Sequence, residues 1–198
     1  MTVVGTFALL LASARTSAAQ STLEPRSQWE FRAPSGAMVS TGAQRKVIKD
    51  AALSAVQLSY AVRPQLALTA TLGWARSRDI ASAGSPKLDV WSYDVGAEFR
   101  APQWVAGEKL TLSPFAGAGV GARSYNYRAL TLDATHNAAA YGTVGSEAGM
   151  GRVRVRLELR DYVAGFKPLG GIGASSTKND VVAMFGVTVA RHAAPPSR

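Results

Sequence analysis

The chain has 198 residues, enough for one folded domain, and 47% of them are hydrophobic, which excludes the disordered class whose low apolar content cannot offset chain entropy. The absence of cysteine excludes a disulfide scaffold, a thiolate metal site, a cysteine nucleophile and a lipidated N-terminal cysteine. The formal net charge of +9 raises nucleic acid as a partner, but no basic cluster is interleaved with aromatic residues, so nucleic acid is not expected.

In chain order, Thr6 to Ala14 form a short apolar run, and Ser17-Ala18-Ala19 place small side chains where signal peptidase would cut before Gln20. Residues 1–19 read as a signal peptide and 20–27 as a periplasmic lead, although Met1 to Gly5 carry no Lys or Arg. The alternative is a buried N-terminal helix. Beyond this run no stretch approaches the ~20 consecutive apolar residues of a membrane-spanning helix, so any membrane domain must be a closed barrel of strands.

Period-two alternation then recurs along the chain, placing successive side chains on opposite faces of a strand. A first strand is predicted around Trp29, Phe31 and Ala33. A second carries Val56, Leu58, Tyr60 and Val62, and a third Leu66, Leu68, Ala70, Leu72 and Trp74. The fourth is unambiguous: Trp91, Tyr93, Val95, Ala97 and Phe99 alternate with Ser92, Asp94, Gly96, Glu98 and Arg100. The fifth carries Leu110, Leu112, Ala116, Ala118 and Val120, and the sixth Ala140, Val144 and Ala148. In the seventh, Val153, Val155, Leu157 and Leu159 alternate with Arg152, Arg154, Arg156, Glu158 and Arg160; as a helix it would put charge all round. The eighth carries Val181, Ala183, Phe185, Val187 and Val189. Each is about ten residues long, as a tilted transmembrane strand requires.

The connections alternate too. Arg63-Pro64-Gln65, 101–108 and Met150-Gly151-Arg152 are short, whereas 40–50, 77–88, 124–137 and 164–179 are read as long loops. This is the order of an up-and-down barrel with both termini in the periplasm. Aromatic residues gather at strand ends as candidate interfacial girdles: Trp29, Tyr60, Phe99 and Trp104 on the short-turn side, Trp74, Trp91 and Tyr93 on the long-loop side.

Alternation alone does not say which face is outside, and a soluble lipocalin-like barrel is the structural rival. Gly73, Gly96, Gly117, Gly119, Gly121, Gly145 and Gly149 fall on the polar face, where the narrow interior of an eight-stranded barrel needs small partners for long side chains. Arginines turned to lipid would cost roughly 2–4 kcal/mol each near the midplane. Arg32, Arg100, Arg154, Arg156 and Arg160 are therefore expected inside, meeting Glu30, Asp94, Glu98, Glu147 and Glu158 in a plugged lumen of paired charge.

Candidate chemistry is sparse. The chain has two histidines, His136, read as lying in the third long loop, and His192, too few for a metal cluster. His136 with Ser124 or Ser146 could serve a lipid-modifying barrel enzyme, and Glu98 with Glu147 or Asp94 could imitate an acid and base pair, but a solvated histidine and lumenal charge pairing are preferred. The glycines at 117–121 lie within an alternating strand and lack the following Lys and helix of a phosphate loop. Arg45, Lys46, Lys49, Arg76, Arg78, Lys87, Arg128, Lys167 and Lys178 fall in or beside the long loops, where they could contact lipopolysaccharide phosphates; ordinary solvated loop charge is the alternative.

Two segments carry a family likeness: Ser113-Pro114-Phe115-Ala116-Gly117-Ala118-Gly119-Val120-Gly121-Ala122-Arg123 and Arg156-Leu157-Glu158-Leu159-Arg160-Asp161-Tyr162. With the alternation from about Trp29 to Arg191, the chain resembles the eight-stranded outer-membrane proteins of the OmpA and OmpX type, within the outer-membrane beta-barrel domain family. The resemblance implies outer-membrane placement and insertion by the barrel-assembly machinery, but no agreed biochemical activity. Family members usually end on an aromatic residue; here the last strand runs into a 192–198 tail, leaving that signal internal, around Phe185, or missing. The expectation is an all-β, eight-stranded antiparallel up-and-down transmembrane β-barrel over 28–191. It is read as a monomer without metal or cofactor, structural or surface-interacting rather than enzymatic, with a narrow ion or small-solute channel among the alternatives.

Overall fold

The computed structural model describes residues 29–106, 110–128, 130–150, 153–166 and 176–189; the expected signal peptide, lead and tail lie outside them. Ten strands are formed: β1 (Trp29–Arg32), β2 (Ser35–Ser40), β3 (Ala51–Arg63), β4 (Leu66–Arg78), β5 (Lys87–Arg100), β6 (Trp104–Ala106), β7 (Leu110–Tyr127), β8 (Thr135–Met150), β9 (Val153–Phe166) and β10 (Ser176–Val189). They make eight staves. β1 and β2 pair with β3 in one uninterrupted register, Trp29 opposite Tyr60 and Ser35 opposite Ser54. Between them Pro34 has no N–H to give the ladder, though its carbonyl still accepts from Ala55 N at 2.9 Å. β6 likewise prolongs β5 along β7, with the register slipping by one residue between Arg100 opposite Phe115 and Trp104 opposite Leu112.

Every pairing is antiparallel, and the ring closes where β10 pairs with both β2 and β9. The last stave thus hydrogen-bonds to the first, leaving no open sheet edge between them. A closed sheet is the only β arrangement that satisfies its backbone in lipid.

Burial decides the faces. Leu157 and Val95 are each 60% exposed and Phe31 is 68% exposed, whereas Glu98 is 2% and Arg160 1% exposed. Apolar side chains cover the outside and charge lies within, the reverse of a soluble barrel. The lipocalin-like alternative is therefore rejected, and the chain is a membrane barrel.

Gly96 and Gly119 sit where the interior is crowded. A Cβ on Gly119 would fall 2.5 Å from the Tyr141 ring, and one on Gly96 would fall 2.3 Å from the Tyr141 hydroxyl. The two create the space that this inward tyrosine fills.

The strands run further than alternation predicted. Ser124 and Tyr125 pair with His136 and Thr135, so half of the expected 124–137 loop is a hairpin extension, and His136 sits on a strand. β4 and β5 continue to Arg78 and Lys87, and β9 and β10 to Phe166 and Ser176, shortening the loops there. In these extensions the inward face is still buried, at Leu88, Tyr125 and Tyr127 among others, but polar residues such as Ser77 and Ser124 share it, so no clean apolar alternation announces the ladder. The 40–50 segment is a connection as expected. It turns at Gly42, whose φ of +54° suits glycine, into a short 3-10 helix at Gly42–Lys46.

Candidate functional site

The inward residues of β1, β5, β8 and β9 meet across the lumen in one alternating chain of charge. Arg154 Nη1 lies 3.7 Å from Glu147, whose other oxygen is 3.4 Å from Arg32 Nη2. Arg32 pairs with Glu30, and Glu30 is 3.1 Å from Arg100, which donates through Nε to Glu98 at 2.7 Å. Glu98 takes two bonds from Arg156, at 3.1 and 2.5 Å; Arg156 also donates to Glu158 at 2.9 Å. Glu158 accepts from Arg160 Nε at 2.5 Å, and Arg160 reaches Asp94 at 3.4 Å. The ten residues singled out for the lumen are thus brought together as five arginines and five carboxylates, with no net charge.

Aromatic and hydroxyl groups complete the layer. Tyr162 donates to Asp94 at 2.5 Å, and Thr71 and Thr143 bind Arg160 and Glu158 at 3.1 and 3.2 Å. The Arg156 guanidinium lies 3.5 Å from the Phe115 ring centre, and Arg160 lies 4.7 Å from that of Tyr141. Flat guanidinium groups stack on rings while their edges stay free to hydrogen-bond. Sequence reasoning missed these partners because a Tyr, Phe or Thr on an inward position carries no charge to mark it.

Above this layer, toward the long loops, the lumen changes character, which alternation did not reveal. Met38, Leu53, Ala75, Leu88, Val90, Tyr125, Tyr127 and Val182 point inward and are buried. Val47 and Ile48 from the 41–50 connection join them, at 8% and 1% exposure. The connection is tied down: Gln44 Nε2 donates to Asp180 at 2.9 Å, Thr41 Oγ1 to Asn179 O at 2.9 Å, and Lys49 N to Arg78 O at 3.0 Å. Ile48 also bridges Asp79, whose carboxylate accepts from Tyr127 and Ser82 hydroxyls, each at 2.7 Å. Arg123, also missed, is buried between the layers, 3.4 Å from Asp180 and 4.1 Å from the Tyr162 ring centre.

The predicted girdle residues divide between the two ends. Trp29 packs on Tyr60 with ring centres 4.7 Å apart, and Phe99 and Trp104 are exposed nearby in sequence on β5 and β6. Toward the other end Trp74 stacks on Trp91 at 5.7 Å, with Tyr93 exposed two residues below. Of the basic residues, Lys49, Arg76, Arg78, Lys87 and Arg128 border one cavity, while Arg45 and Lys46 stand exposed on the 3-10 helix. Lys167 and the Lys178 side chain lie outside what is described.

Ser124 and His136 do face each other across β7 and β8, with Ser124 buried and His136 exposed. Ser146 lies ten positions further along His136's own strand, opposite Pro114, and cannot partner it. Among the described residues no group of three or more His, Asp or Glu side chains is placed to hold a metal.

No family model matches the sequence, and no curated protein sequence matches it either. Solved structures do. Neisserial surface protein A superimposes with a TM-score of 0.54 at 12% identity, over 84% of this chain and 99% of that one. The fold is that of the eight-stranded outer-membrane barrels. Weaker likenesses are to the outer-membrane protein AlkL in lipid bilayers (TM-score 0.47, 14% identity, 93% and 100% covered) and to the Ail attachment invasion locus protein of Yersinia pestis (0.39, 12%, 80% and 96%). At 12% identity the superposition on Neisserial surface protein A establishes the eight-stranded barrel fold and nothing about ligands.

Proposed function

We propose that the protein is a monomeric, non-enzymatic outer-membrane barrel with a closed lumen, acting as a structural and surface-interaction element through the face its long loops present. The observation that carries this reading is the double filling of the interior. One layer is a neutral network of arginines and carboxylates, and the next is an apolar cluster into which Val47 and Ile48 fold. Buried ion pairs of this geometry are held by several hydrogen bonds each, which fixes their side chains across the lumen. A barrel closed at two levels serves as a rigid support for its ends rather than as a conduit. Its expected partners are outer-membrane lipid and lipopolysaccharide, with the barrel-assembly machinery inserting it.

The test is single-channel recording of the refolded protein in planar bilayers. No conductance steps are expected at moderate voltage; regular steps that scale with salt concentration would make it a narrow channel instead.

A further inference from the structure

We propose that the wall formed by β3, β4 and β5 binds a phosphorylated membrane lipid, its phosphate in the basic pocket at the long-loop end and a hydrocarbon chain in the apolar groove below. The proposal rests on the membrane placement of the barrel.

Five cations, Lys49, Arg76, Arg78, Lys87 and Arg128, converge with Asp50 on a cavity of about 370 Å³. Arg78 and Lys87 are direct cross-strand partners. Like charges placed so oppose each other unless an anion lies between them. The two neighbouring carboxylates are already engaged: Asp50 accepts from Ser40 N at 3.0 Å, and Asp89 pairs with Arg128 Nε at 3.2 Å. The remaining positive excess, carried on forked guanidinium groups and mobile ammonium groups, suits a phosphate monoester with up to two charges and several acceptor oxygens.

The ligand's source follows from what lies beneath. The Arg76 guanidinium sits 4.3 Å from the Trp74 ring centre, and Trp74 stacks on Trp91. Indoles of this kind settle at the membrane interface, which sets the pocket at headgroup depth. Further down the same three staves a groove of about 380 Å³ is walled by Val56, Leu58, Leu72, Tyr93 and Val95, with the small Ala70 between them. Along β4 the path from Arg76 to Ala70 is about 20 Å at the ordinary strand rise. One leaflet of a ~30 Å hydrocarbon core plus a headgroup spans a similar length. A free anion would use the pocket alone; a phosphorylated lipid uses both.

The experiment is native mass spectrometry of the full chain refolded in detergent, titrated with lipid A, with enzymatically dephosphorylated lipid A, and with inorganic phosphate. Lipid A should be retained, its dephosphorylated form at least about tenfold more weakly, and inorganic phosphate should not displace it. The R76A/R78A/K87A variant should lose lipid A at least about tenfold. A70L should weaken it by blocking the groove, and R45A/K46A should retain it. K87E alone serves if the triple variant does not fold, and should lose lipid A as well. Equal losses in R45A/K46A and R76A/R78A/K87A would reduce the effect to overall charge and overturn the pocket. Displacement of lipid A by inorganic phosphate, or full retention by A70L, would overturn the lipid. Failure of the unaltered protein to need detergent, or to shift on a gel after boiling, would overturn the membrane placement itself and is read separately.

Discussion

Arg156 of β9 reaches across the lumen to Glu98 of β5, placing both terminal nitrogens on the two carboxylate oxygens at 3.1 and 2.5 Å. The residues are 58 positions apart and belong to staves that do not pair. Both are buried, and each also holds a second partner, Arg100 for Glu98 and Glu158 for Arg156. Removing one partner from such a pair typically costs 3–5 kcal/mol, whereas replacing both by apolar groups is often neutral, at roughly 0 kcal/mol or better. Glu98→Leu should therefore lower the denaturant midpoint of heat-resistant gel mobility markedly. The double variant Glu98→Leu with Arg156→Leu should recover a large part of the loss. A Glu98→Leu protein as stable as the unaltered one would show that the charge network does not hold the lumen together.

Tyr141 lies against Gly96 and Gly119 with no slack. The Cβ of an alanine at position 119 would also meet the Val95 carbonyl oxygen at 2.4 Å, so no side-chain rearrangement can relieve it. Gly119→Ala should destabilise the barrel by about 1–3 kcal/mol, the range for overpacking. Gly142→Ala, where an added Cβ meets nothing within 4 Å, should be tolerated. Urea titrations of both variants in the same detergent make the comparison.

The 41–50 connection is held by apolar insertion as well as by hydrogen bonds. Ile48→Asp puts an unpaired carboxylate at a position 1% exposed and should expel the connection from the barrel mouth. Limited proteolysis should then cut near Arg45 and Lys46 while the barrel remains resistant to SDS without heating. The charge layer beneath should still block conductance. Conducting Ile48→Asp channels would mean that the connection alone closes the lumen.

The outer wall should obey the opposite rule from the inner one. Leu157, 60% exposed and next to inward Arg156 and Glu158, faces the hydrocarbon. Leu157→Arg should cost about 2–4 kcal/mol in a bilayer if it lies near the midplane. Ser54→Arg, near the long-loop end of β3, should cost less. Folding titrations into lipid vesicles read both values, and an equal cost would contradict the membrane depth assigned to the strands.

Much of this architecture could be read directly from the order of residues. Alternation in 91–100 and 153–160 located strands and separated their faces, because side-chain direction with period two is a local property of extended backbone. The same alternation picked out ten of the arginines and carboxylates that turn inward, though not Arg123 or Asp180. It could not say which arginine meets which carboxylate: β5 and β9 face each other only after the sheet has curled and closed. Nor could it show that Leu88, Val90, Tyr125 and Tyr127 fill the loop end of the lumen, since an inward position accepts charge or hydrocarbon according to what stands opposite. Val47 and Ile48 looked like ordinary loop residues, and Arg76, Arg78 and Lys87 like scattered surface charge. The amino-acid order by itself determined the eight staves and their two faces, though not where the strands end or that two staves are each split in two. Only the closed tertiary structure decided the pairings across the lumen, the burial of a loop in its mouth and the gathering of cations above an apolar groove, because each depends on surfaces that meet through space across the barrel.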